Sequence, residues 1–178
     1  PRPVDIARLA QMSAPCAAAR RDGPVVSVAC PAAVGEPFKN AVAAGIPVIV
    51  IDSGGGKLTH GLGGLLFRGQ SEYEAGVMAG ERVKKLGLTK AVCANHEVGN
   101  ISLDDRCAGF AKGLGVDVPV LNGVMDPTEM KNRLIAYLKT NADTQFILTV
   151  GIGGAEPGLM ALDELGLTGK VKIGTFDL

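Results

Sequence analysis

Residues 93–110 read CANHEVGNISLDDRCAGF and place Cys93, His96, Glu97, Asp104, Asp105, Arg106 and Cys107 close together. Three chemistries are open to such a set. Cys93 and His96 have the Cys-x-x-His spacing of a zinc site, with Cys107 as a third donor, but no fourth ligand is evident. A Cys/His nucleophile would need an activated thiolate, and Cys93 lies inside an apolar run that offers nothing to lower its pKa. The third chemistry is recognition of a polar ligand. Arg106 carries a planar fork of donors that fits a carboxylate or two adjacent hydroxyls. The competing reading pairs Arg106 with Asp104 or Asp105 on a solvated helix face.

Other motifs subtract functions. GGGK at residues 54–57 is followed by Leu58, where a phosphate-binding loop needs Ser or Thr. GLGG and GIGG, at 61–64 and 151–154, lack the third glycine of a dinucleotide fingerprint. A GxSxG nucleophile elbow is absent. Neither a metal nor a cofactor is expected.

The elements that must position these residues alternate in period. A helix is expected over residues 4–20, broken or kinked at Pro15. A strand at 24–30, a helix over 35–45 and a β-branched strand, IPVIVID, at 46–52 follow. The last reads as a strand covered on both faces. SGGGKLTHGLGG reads as a glycine-rich connection. Beyond it, strand and helix alternate to the end of the chain. Ser71, Ser102 and Asp126 are the expected helix N-caps, with Pro127 in the first helical position and Glu129 in the first turn. Such alternation predicts an α/β fold with parallel sheets and helices on both faces. Ligands of such folds bind outside the carboxyl ends of the strands. Those ends here are Cys30, Asp52, Asn95, Met125, Gly151 and Asp177.

Bulk properties agree. The chain has 178 residues, 47% of them hydrophobic, with 18 basic residues against 18 acidic. That balance gives no reason to expect nucleic acid or an anionic membrane as a partner. No apolar run approaches the roughly 18 residues of a membrane span. Cys16, Cys30, Cys93 and Cys107 form no CxxC pair and do not have the spacing of a disulfide scaffold. Cys30 and Cys93 read as small buried hydrophobes.

The segments FKNAVAAGIPVIVIDSG, GQSEYEAGVMAGERVKKLG, NHEVGNISLDDRCAGF, DPTEMKNRLIAYLKTNADTQFILTVG and ALDELGLTGKVKIGTFDL together resemble the periplasmic sugar-binding proteins of ABC transporters. The ribose/galactose-type group, which shares its fold with LacI-type repressor effector domains, is the nearest in pattern. The resemblance runs from about residue 4 to 178 and is most specific at AVAAGIPVIVIDS and at the R-x-x-G-F of Arg106–Phe110. It implies two flavodoxin-like lobes with the sugar between them. Residues 1–69 match part of the first lobe and 70–178 most of the second, as in a piece of a longer protein.

The resemblance also implies ligand residues. Asp52 matches a first-lobe aspartate that accepts from sugar hydroxyls, and Ser53 stands where ribose binders often have Arg. Arg106 and Asp177 match the second-lobe R-x-x-G-F and G-F-D positions. Gly151 falls where ribose binders place Asn, and Met125 where an aromatic often lies. Asn95 and His96 line the same cleft edge. The function implied is non-catalytic binding of a small sugar or polyol, passed to an ABC permease from the periplasm or a surface-tethered position. The alternatives are a LacI-type effector domain that has lost its DNA-binding segment, and a flavodoxin-like enzyme using His96 as acid or base. An incompletely covered apolar sheet further predicts a homodimer.

Overall fold

The computed structural model describes residues 23–177. The helix expected over 4–20 and Cys16 lie outside them. The chain divides into two compact units, one up to Ser71 with a short return at Gly99–Ser102, the other Glu72–Val98 with Leu103 onward.

The first unit holds β1 (Val25–Val26), α1 (Pro31–Ala43), β2 (Ile49–Ile51), α2 (Gly55–Gly61) and β3 (Leu66–Arg68). The strands are parallel in the order β1-β2-β3. Two right-handed crossovers stepping in one direction put α1 and α2 on the same face. Val34, Phe38 and Ala41 of α1 pack there on Val28, Val48 and Val50, with Val26, Leu58 and Phe67 at the margin. The opposite face differs from the two-sided cover that the apolar run IPVIVID suggests. Val25, Leu66 and Ile51 point to it, at 58%, 50% and 41% exposure. The glycine-rich connection contains the helix α2, whose Thr59 hydroxyl donates to the Gly55 carbonyl at 2.8 Å. Glycine is a poor helix former, so this helix carries no local signal.

In the second unit the strands are β4 (Ala91–Asn95), β5 (Val120–Asn122), β6 (Phe146–Thr149) and β7 (Lys172–Thr175). The helices are α3 (Glu72–Lys85), α4 (Ile101–Leu114, entered from the return segment), α5 (Pro127–Thr140) and α6 (Ile152–Glu164). All pairings are parallel, in the order β5-β4-β6-β7. Alternate strand residues feed two cores. Ala91, Cys93, Phe146 and Leu148 meet Val83, Leu103, Cys107, Phe110 and Leu114 on one face. Val92, Ala94 and Ile147 meet Met130, Leu134, Leu138, Ala161 and Leu162 on the other. The chain leaves β4 toward β5 and leaves β6 toward β7, so the direction of winding reverses between β4 and β6. In a doubly wound sheet that reversal opens a crevice at the carboxyl ends of the two strands.

Two features fix α3 and α4 against this sheet. A Cβ on Gly76 or Gly80 would collide with the carbonyls of Arg106 and Phe110, and one on Gly109 or Gly113 with those of Tyr73 and Val77. Only glycine permits so close a backbone approach. The second feature corrects the reading of Cys93 as a free hydrophobe: it is disulfide-bonded to Cys107, with Cα atoms 5.7 Å apart. Cys30 is free. Two helix starts bear on the expected caps. Asp126 caps α5 by accepting from the Glu129 amide at 2.8 Å, with Pro127 behind it. For α4 the cap is Asn100, which accepts from the Ser102 amide at 3.1 Å, and not Ser102.

Candidate functional site

The residues beyond β4 and β6 form a connected polar cluster in the second unit. Its centre is Arg106, 6% exposed. The Nε donates to Glu72 at 2.5 Å, and Nη1 donates to the Val150 carbonyl at 2.6 Å and to Asp177 at 2.7 Å. The guanidinium lies 4.7 Å from the centre of the Phe176 ring. Nη2 has no partner among the described residues and remains as a donor. Burial by itself would lower the Arg106 pKa, but the hydrogen bonds and charges of Glu72 and Asp177 outweigh it and raise the value. Arg106 is therefore not paired with Asp104 or Asp105. Nor is it a ligand group without structural weight, since the Glu72 side chain and the buried Val150 carbonyl depend on it. Glu72, whose side chain is 10% exposed, went unnoticed in the sequence because it lies 34 residues from Arg106.

Asp177 accepts from Arg106 through one oxygen while its side chain stays 64% exposed. Asp177 and Asp52 are the non-glycine residues with positive φ among those described, at 58° and 63°. An L-residue in that region carries strain of order 1 kcal/mol, tolerated where function or surroundings demand it. Both are carboxylates within two residues of a strand's end. In the first unit Asp52 is exposed and accepts from Ser27 and Ser53 hydroxyls at 3.3 and 3.5 Å. Ser53 is 8% exposed, and its carbonyl accepts from the Val28 amide.

Asn95 ends β4, His96 follows it, and the two differ in what they offer. Asn95 is fully buried, with its amide donating to Asp104 at 2.8 Å and its carbonyl accepting from the Glu97 amide at 3.0 Å. Both ends are used within the protein, so Asn95 braces the turn that presents His96. His96 is 9% exposed, and its Nδ1 is buried without a hydrogen-bond partner. Burial lowers its pKa, Glu97 partly opposes this, and Arg106 adds to it. The ring is therefore neutral near pH 7. Gly151, the N-cap of α6, has an extended φ of 172° and a place beside His96 and Asp177. Met125 is half-buried between β5 and α5.

The arrangement can accept and donate hydrogen bonds to uncharged hydroxyl groups. The disulfide takes up both sulfurs of the set considered for zinc, and no group of three metal-ligating side chains occurs among the described residues. No described helix is long and apolar enough to cross a membrane.

The periplasmic binding protein domain family matches residues 1–178. The chain belongs to this family. A solved carbohydrate transporter from Acidothermus cellulolyticus, in complex with myo-inositol, is similar at 29% identity and a TM-score of 0.87 over 97% of this chain. AraP, an arabinose-binding protein from Geobacillus stearothermophilus, shares 26% identity at a TM-score of 0.74. A solute-binding protein from Burkholderia graminis in complex with D-arabinose, at 22% identity and a TM-score of 0.84, shows the same fold. The chain spans 60%, 60% and 63% of these three. No curated protein matches it.

Proposed function

We propose that the chain is the substrate-binding component of a sugar ABC transporter and recognises a small neutral sugar or polyol without chemical turnover. The observation that carries this reading is the Arg106–Asp177 pair. It lies at the point where the winding reverses, with Nη2 and the exposed side of the carboxylate left for a ligand. Sugars present hydroxyls and no charge, and each hydroxyl can accept from Arg106 and donate to Asp177. In the second unit His96, Gly151 and Met125 are the further contacts, with Asn95 supporting them from behind; taken by itself, the first unit offers Asp52 and Ser53 as candidate contacts. The strained Asp52 and Asp177 fit this role, since strain clusters at ligand sites.

Membership in a family of periplasmic binding proteins implies a permease as the partner. The Cys93–Cys107 disulfide agrees with an oxidising compartment, the periplasm or the outer cell surface. His96 as an acid or base is not favoured, because the second nitrogen of such a histidine is normally oriented by a partner and Nδ1 has none. Calorimetric titration with neutral pentoses, hexoses and myo-inositol tests the reading. Binding of at least one, lost by tenfold or more in Asp177→Asn and Asp52→Gly, is expected. Absence of binding across the panel, or turnover of a bound sugar, would overturn it.

A further inference from the structure

His96 owes its position to two absent side chains. A Cβ on Gly153 would lie 2.8 Å from the ring Cδ2, 3.1 Å from Nε2 and 3.2 Å from Cγ, so the imidazole lies with its face on Gly153 in the first turn of α6. A Cβ on Gly151 would lie 3.1 Å from Cε1. Neither glycine is there for its own backbone, since neither has a positive φ. The same point beside Gly151 is 3.8 Å from His96 Nε2 and 3.9 Å from Asp177 Oδ2. The room that a side chain would fill is bounded instead by an imidazole nitrogen and a carboxylate oxygen. Its opposite nitrogen, Nδ1, is sealed from solvent.

We propose that Gly151 and Gly153 form a seat for His96, and that the seated ring is the specificity-determining residue of the second unit. The inference rests on the sugar-binding reading. One ligand hydroxyl beside Gly151 can address Nε2 and the Asp177 carboxylate together, as donor to one and partner of the other. A sugar with that hydroxyl inverted leaves Nε2 of the 9%-exposed ring without this partner, and stranding a buried polar group is the strongest source of discrimination against a near-identical ligand. Sugar acids and sugar phosphates are rejected, because Arg106 is already compensated by Glu72 and Asp177 and the neutral ring adds no positive charge.

A mutant cycle in the full chain tests the seat without any ligand. Gly153→Ala lowers the melting temperature, because the methyl meets the ring. In a His96→Ala background the same change raises it, because the obstacle is gone and alanine is the better helix former. The same sign in both backgrounds overturns the seat. The specificity claim is read by titrating wild type and His96→Ala with epimeric pairs of neutral pentoses and hexoses and with myo-inositol. His96→Ala is expected to reduce discrimination within at least one epimeric pair by tenfold or more. An unchanged ranking with binding retained overturns this inference alone. A wild-type chain that binds no member overturns the sugar-binding reading and this inference with it.

Discussion

Replacing Arg106 by Met removes the charge and keeps much of the volume over Phe176. The side chains of Arg106 and Glu72 are 8% and 10% exposed, so the pair is buried. Removing one partner of a buried pair costs about 3–5 kcal/mol. Glu72 keeps a further interaction, which favours the lower end, ~3 kcal/mol. The Val150 carbonyl loses a buried hydrogen bond, adding about 1 kcal/mol. The contact with Asp177, whose side chain is 64% exposed, adds at most about 0.5 kcal/mol because solvent screens it. The total, ~4 kcal/mol, is a large share of the roughly 5–15 kcal/mol that holds a domain folded. Restoring balance should undo most of it: Glu72→Met with Arg106→Met leaves no stranded charge, and its stability should return to within about 2 kcal/mol of wild type. Sugar binding should stay lost in both variants. The assay is urea unfolding followed by tyrosine fluorescence. The chain has no Trp, and Tyr73 and Tyr137 are its tyrosines, both in the second unit. A loss under ~1 kcal/mol in Arg106→Met, typical of an exposed pair, would refute the reasoning. So would a double variant no more stable than the single one.

Further consequences can be measured on the same chain. The folded-state pKa of His96 lies below the unfolded value of about 6.5, because burial disfavours the charged ring. The unfolded chain then binds more protons below that pH, so stability is full above about 6.5 and falls as the pH drops toward the lower folded value. His96→Gln should flatten this slope in unfolding curves taken above pH ~5, where ordinary carboxylates stay ionised; an unchanged slope would assign it elsewhere. Gly109→Ala, with its methyl driven into the Tyr73 carbonyl, should destabilise the second unit by about 3 kcal/mol or more, beyond the usual range for a surface change; a neutral effect in calorimetry would deny the close helix approach. Reducing the Cys93–Cys107 disulfide, 14 residues apart, should lower stability by ~3 kcal/mol from loop entropy; identical unfolding with and without dithiothreitol would count against it. The exposed row of Val25, Ile51 and Leu66 should drive self-association seen by light scattering and weakened by Ile51→Lys; a wild-type monomer would remove that expectation.

Several elements were legible in sequence because their determinants are local. The apolar runs of β4 and β6 and the Asp126-Pro127 start of α5 needed only neighbours a few residues away. So did the strand-end positions of Asp52 and Asp177, and the R-x-x-G-F segment carried Arg106 into the set of interest. Local signals failed where tertiary contacts outweighed propensity. The helix α2 forms in a stretch of poor helix formers while Leu58 and Leu62 pack on the first unit's core. Cys93 was readable as an apolar strand residue, but its bond to Cys107 depends on how α4 crosses β4.

The sequence by itself determined the chemical inventory: a neutral balance of charge, carboxylates after strands, and one arginine near their level. It also held the spacing of Gly76 with Gly80 and Gly109 with Gly113, whose meaning is invisible until two helices touch. The tertiary structure decided who meets whom. The order β5-β4-β6-β7 brings the ends of β4 and β6 side by side. The glycine crossing lets Glu72 reach Arg106, and the room over Gly151 and Gly153 becomes the place of His96. These are pairings between residues tens of positions apart. Their energies come from burial and exclusion of water, which no single stretch of chain can specify alone.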